Sequence, residues 1–229
     1  MFKKTLLFLS LLSAINVSAL ASEAKNEVQP LASINSPQQF SEAKQALMQK
    51  IAQLSAFSAD FTQSIVDADG NNIQENSGNL AVAKPNLLHW QVTAPNESLI
   101  VSDGKALWLF DPFIEQVSVY STSGAITNTP ILLLANPDKR IWQNYDVKAV
   151  NKNHYVITSK DENSQVKSLE LLFNTTDKNN HVSLVEFVIL DATGQLSRVQ
   201  LSKTKLLETD ITTLFTFTPP SGVEIDDQR

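Results

Sequence analysis

From Ala56 onward, apolar and polar residues alternate, and short groups of turn-forming residues cut the alternation at close intervals. A period of two sends successive side chains to opposite faces of a strand. The pattern therefore confines most of this chain to β-structure, and the short connections favour an antiparallel meander. Strands are expected at 57–65, 79–83, 87–92, 98–102, 106–110 and 116–120, and again at 142–150, 154–159, 166–173, 182–190 and 195–206, with a last alternation at 214–217. Asp69-Gly70-Asn71-Asn72, Lys84-Pro85-Asn86, Asp103-Gly104 and Thr193-Gly194 supply turns between them. The expectation is a mainly β fold of about ten or eleven strands, curled into one half-open antiparallel barrel.

Two segments break the period. Phe40, Ala43, Leu47, Ile51 and Leu54 recur at spacings of three and four, which is an apolar stripe on a helix. Ser36-Pro37-Gln38-Gln39 reads as its start, with serine as cap. Later, Thr129-Pro130 opens a short apolar helix through Ile131, Leu132, Leu133, Leu134 and Ala135, and Asn136-Pro137 closes it. Four large apolar residues in a connection between strands need a surface to cover, or they invite association. Both helices suit the open side of a curled sheet.

The first residues lie outside this pattern. Lys3 and Lys4, the apolar run 6–17 and Ala19-Leu20-Ala21 have the order of an export signal, with cleavage after Ala21. Residues 22–35 read as a polar, flexible leader, and 36–229 as a single domain. The expected product is an exported protein. The chain has no cysteine, which removes disulfides, thiolate metal sites and the lipid-attachment residue of a bacterial lipoprotein. Its net charge of −6, with no run of Lys or Arg, argues against nucleic acid or an anionic membrane surface as partner.

Enzyme chemistry finds little support. There is no H-E-x-x-H, no G-x-S-x-G and no phosphate-cradling glycine loop. His89, His154 and His181 sit far apart on predicted strands, and Asp226-Asp227 reads as solvated charge. No catalytic residue, metal site or cofactor is expected. What the chain has in excess is apolar surface. Phe57, Phe61, Leu88, Trp90, Val92, Ile100, Trp108 and Phe110 are candidates for the inner face of the curl, although Leu99-Ile100-Val101 leaves the local parity open. The plain alternative is that these residues pack on one another as an ordinary core.

Several blocks, taken in order, resemble the LolA family, the periplasmic outer-membrane lipoprotein carriers of the bacterial Lol pathway. They are Phe57-Ser58-Ala59-Asp60-Phe61-Thr62-Gln63, Lys84-Pro85-Asn86-Leu87-Leu88-His89-Trp90, Pro95-Asn96-Glu97-Ser98, and Val101-Ser102-Asp103-Gly104-Lys105 with Leu107-Trp108. Asp111-Pro112-Phe113 with Glu115-Gln116-Val117, Asn128-Thr129-Pro130, and Phe215-Thr216-Phe217-Thr218-Pro219-Pro220-Ser221-Gly222-Val223 complete the set. The resemblance implies a half-open barrel with a helical lid over a cavity for the acyl chains of triacylated lipoproteins. It implies a monomer that takes cargo from an ATP-driven inner-membrane transporter complex and gives it to an outer-membrane receptor lipoprotein.

In the family the basic residue before Pro-Asn is usually arginine, which bonds lid carbonyls and keeps the empty carrier closed. Here it is Lys84. An ammonium has three donors on a flexible stem where guanidinium has five in a fixed fork. Lys84 is therefore expected to bond one or two carbonyls and to latch less firmly. Leu47, Ile51 and Leu54, with Ile131, Leu132, Leu134 and Ala135, are the expected lid contacts. Leu88 stands where relatives can carry an aromatic residue, which alters cavity shape more than polarity.

Overall fold

The structure, a computed structural model, describes residues 40–126, 129–136, 138–176, 181–208 and 211–229. The expected signal, leader and Ser36 cap lie outside the described residues.

The period-two pattern becomes a single sheet. Its strands are β1 (Phe57–Val66), β2 (Asn72–Ala83), β3 (Leu87–Ala94), β4 (Ser98–Asp103), β5 (Ala106–Asp111) and β6 (Gln116–Ser121). After a helical interlude come β7 (Tyr145–Asn151), β8 (His154–Ser159), β9 (Val166–Thr176), β10 (His181–Asp191), β11 (Leu196–Leu206) and β12 (Glu224–Asp227). The twelve strands run in the order β12-β6-β5-β4-β3-β2-β1-β11-β10-β9-β8-β7, so the sheet is open between β12 and β7. All pairings are antiparallel except β12 on β6.

The sheet curls strongly. Trp90 on β3 and Phe187 on β10 have ring centroids 6.0 Å apart, although β2, β1 and β11 lie between their strands. Four strand spacings in a flat sheet would separate them by about 19 Å. Phe61 on β1 fills the space between and stacks on Trp90 at 4.2 Å. Gly78 permits this approach. A Cβ there would stand 1.8 Å from the Gln91 carbonyl oxygen and 3.0 Å from the Phe61 ring. The ladder also shifts register between Ser77 and Gly78, a bulge that adds to the bend.

Helix α1 (Glu42–Gln53) is capped by Ser41, whose side chain accepts from the Lys44 backbone N–H at 3.3 Å. Glu42 in the first turn and Lys50 in the last both complement the helix dipole. A one-turn helix, α2 (Thr122–Ala125), follows β6, and a 3-10 helix, Pro130–Leu134, follows that.

Three expectations are corrected. Trp142 belongs to a 3-10 turn, Ile141–Asn144, and not to a strand. The alternation at 214–217 is not a strand either: Thr212–Phe215 is a 3-10 turn packed on the outer face of β3 and β4. The last strand is β12, a short and mostly exposed segment with little apolar content for a period to reveal.

Candidate functional site

The inner face of the curl and the two helical segments form one apolar cluster. From the sheet it takes Phe57, Phe61, Leu80, Leu88, Trp90, Val92, Leu107, Leu169, Leu171 and Phe187 among others. From α1 it takes Leu47, Ile51 and Leu54, and from the 3-10 segment Ile131, Leu132, Leu133, Leu134 and Ala135. Ile100 packs at its margin, which settles the parity of β4, because Ile100 pairs with Trp90 and Leu109. Leu133 was not singled out from sequence, yet Leu132, Leu133 and Ala135 are all 0% exposed. A 3-10 turn points side chains to three sides, so burial of every residue means the segment is inserted into the curl.

Trp108 and Phe110 do not line this face. On β5 the inward residues are Leu107 and Leu109. Trp108 and Phe110 point to the opposite face, where both lie 5.8 Å from the Phe217 ring and pack with Val117, Val119 and Val223. The sequence 106–110 is apolar on both parities, so alternation alone could not say which side was inside.

The cover is held at the turn between β2 and β3. Lys84 Nζ donates to the carbonyl oxygens of Ile51 at 2.7 Å, Ala52 at 3.2 Å and Leu54 at 3.0 Å. Three acceptors, and not one or two, thus take all three ammonium donors. These carbonyls belong to the C-terminal end of α1, where main-chain acceptors lack partners and the dipole favours a cation. Two residues on, the Asn86 backbone N–H donates to the Ala135 carbonyl at 2.9 Å. The Asn136 side-chain amide donates to Asn86 Oδ1 at 2.9 Å. Asn86 itself sits at φ 58, a left-handed conformation asparagine tolerates, and its carbonyl accepts from Ser102 Oγ at 2.6 Å. One turn thereby fastens both helical segments. Partial burial lowers the Lys84 pKa.

Two polar features were not anticipated. Lys44, on the buried side of α1, is 5% exposed and donates to the main-chain carbonyls of Trp142, at 2.8 Å, and Tyr145. On the inner sheet face, Gln63 donates to Ser197 Oγ and accepts from Asn76, each at 2.7 Å. That chain crosses β2, β1 and β11 and ends the apolar floor at the end away from Lys84. Neither was legible, because each depends on partners distant in sequence.

The histidines are not brought together. His89 lies half-buried on the outer parity of β3, where burial lowers its pKa. His154 pairs with Glu170 at 2.9 Å on the neighbouring strand. The side chain of His181 lies outside the described residues. Asp226 and Asp227 bind the adjacent Gln228 and Arg229, so they form no shared acid pair.

The structure is thus an open sheet curled around its own helical segments, with an apolar interior and a polar clasp at the rim. Residues 52–218 match the family model described as outer membrane lipoprotein carrier protein LolA. An outer-membrane lipoprotein carrier protein of Proteus mirabilis is 40% identical over 190 residues, which cover 83% of this chain and 90% of that one. One from Aeromonas salmonicida is 39% identical over 196 residues, covering 86% and 94%. Among solved structures, an uncharacterized conserved protein from Thermus thermophilus shares the fold, with a TM-score of 0.51 at 13% identity over 82% of this chain and all of that one. The chain belongs to the LolA family.

Proposed function

We propose that this protein is a periplasmic carrier that encloses the acyl chains of lipoproteins released from the inner membrane and delivers them to an outer-membrane receptor. The supporting observation is that the apolar interior is filled by short helical segments of the chain itself. Leu47, Ile51 and Leu54 of α1 and the 131–135 segment occupy the curl, and at the rim they are tied by hydrogen bonds from Lys84 and Asn86. In this reading Phe57, Phe61, Leu88, Trp90, Val92 and Ile100 become the wall that acyl chains meet once the lid lifts.

Magnitudes explain why the lid is useful. Burying one methylene is worth about 0.8 kcal/mol, so one chain of roughly 15 methylenes gains about 12 kcal/mol if fully enclosed. Three chains at full value would never leave. A lid that must first be pulled from the same surface subtracts its own burial from that gain. Cargo then binds tightly enough to cross water and loosely enough to be handed on. The donor is an ATP-driven transporter complex and the acceptor a receptor lipoprotein, and no reaction is performed on the cargo. The protein works as a monomer after residues 1–21 are removed.

The test is release. Spheroplasts or proteoliposomes bearing an anchored lipoprotein and the transporter are given purified protein. The expected result is soluble lipoprotein in stoichiometric complex with it. Lipoprotein that stays membrane-bound, or release in catalytic excess over the protein, would overturn the reading.

A further inference from the structure

Lys44 and Lys84 hold opposite ends of α1 to opposite parts of the sheet. Lys84, on the β2–β3 turn, grips the carbonyls of Ile51, Ala52 and Leu54 at the C-terminal end. Lys44, in the first turn of the helix, reaches the carbonyls of Trp142 and Tyr145, at the start of the edge strand β7. The two clasps differ in depth. Lys84 sits at the rim and is only partly buried, so water can take over its bonds as they break. Lys44 is buried, with the Phe40 ring 4.9 Å from its ammonium, and its acceptors are main-chain atoms of the Ile141–Asn144 turn and of the first residue of β7. An interior ammonium stripped of acceptors is far costlier than one released into water. A third contact, from Lys50 to Asn153 and Thr175 at 3.1 Å each, lies near the C-terminal end, is half-buried, and uses neutral side chains.

We infer that Lys44 is a positioning residue, the hinge pin of the lid: α1 opens by swinging its C-terminal end away from the β2–β3 turn while its first turn stays fastened to the β7 edge. Opening breaks the Lys84 and Lys50 contacts and spares Lys44. The interior is then exposed from the Lys84 side, and the helix returns to register because one end never leaves. The inference deepens the carrier reading and rests on it only for what triggers the swing.

The chain has no cysteine, so pairs of spin labels can be placed at will. Exposed positions Gln53 and Lys105 report the C-terminal end, and exposed Ala46 and Gln143 the N-terminal end. Without ligand, Lys84→Leu should broaden the 53/105 distance distribution and leave 46/143 narrow. Lys44→Met should broaden 46/143 and leave 53/105 narrow. Broadening of both pairs in Lys84→Leu, or of neither, would overturn the hinge, and this arm decides even if Lys44→Met fails to fold. In a second arm a synthetic triacylated lipopeptide is added to the doubly labelled, otherwise unmutated protein. A shift of 53/105 to longer distance with 46/143 unchanged is expected, and a shift of both overturns the hinge. If the lipopeptide does not bind at all, the acyl-carrier reading fails, while the ligand-free arm still decides the hinge.

Discussion

At Lys84 one ammonium meets three carbonyl oxygens of a helix end. Charge-assisted bonds of this kind carry about 1.5–3 kcal/mol each when shielded and less where water competes. Lys84→Leu should therefore loosen the C-terminal turn of α1 by about 1–2 kcal/mol, read as faster amide exchange there with little change elsewhere. Transfer of cargo to the receptor should fall. Lys84→Arg, with a pre-organised fork, should slow that exchange, and unchanged transfer in both variants would remove Lys84 from the mechanism. Lys44, Lys50 and Lys84 all have pKa values lowered chiefly by desolvation, from an unfolded value of 10.5. Between the lowered values and 10.5 the unfolded chain binds more protons than the folded one, so stability should rise with pH in that window. Denaturant midpoints measured from neutral pH upward check the sign, and Lys44→Met should flatten the rise. Lys84 was legible only beside the family pattern, in which a basic residue precedes Pro-Asn; by itself it read as one exposed cation among others. Lys44 was not: its acceptors are main-chain atoms of residues 142 and 145, and main-chain atoms leave no trace in a sequence.

The Pro130–Leu134 segment shows what an element can do that its residues do not declare. Its run of apolar residues signalled burial, but not that every side would be covered. If this segment is the removable filling of the curl, its packing stabilises the empty protein and opposes cargo. Leu133→Ala should destabilise the unliganded protein by about 2–4 kcal/mol, as for a buried leucine leaving a cavity. The same change should strengthen lipopeptide binding, because less packing is lost when the lid lifts. An ordinary core leucine would lower stability with no gain in affinity, so thermal unfolding and binding measured together separate the two. The strands were legible for a related reason. Phe57, Ala59, Phe61 and Ile65 alternate cleanly with polar residues, so β1 had one possible inside. β5, apolar at 106–110 on both parities, had two, and the choice was made by Phe217 and Val223 arriving more than a hundred residues later.

At the scale of the molecule, the sheet has two unlike edges and two unlike faces. The inner face is covered by α1 and the Pro130–Leu134 segment. Near the β6 edge the outer face carries Trp108, Phe110, Val117 and Val119, covered by Phe217 and Val223 before β12 pairs in parallel with β6. Arg229 then lies 5.8 Å from the Trp108 ring and binds Asp227, whose pKa it holds down to about 2. Phe217 and Val223 pack in a cluster separate from the one that holds the proposed cavity wall, so their contribution is to keep a second apolar surface out of water. If the inner face is exposed on demand, as proposed, a second exposed apolar face would let empty copies associate through it. Removing residues 217–229 should therefore leave the curl and its lid folded, uncover Trp108 and unpair the β6 edge. The expected outcome is a red-shifted component of tryptophan emission, since Trp90 and Trp142 are only 9% and 2% exposed, together with concentration-dependent self-association in sedimentation. Lipopeptide binding measured at concentrations too low for association should be unchanged. Loss of binding there would mean that the tail supports the inner face as well, and that the two faces are not independent.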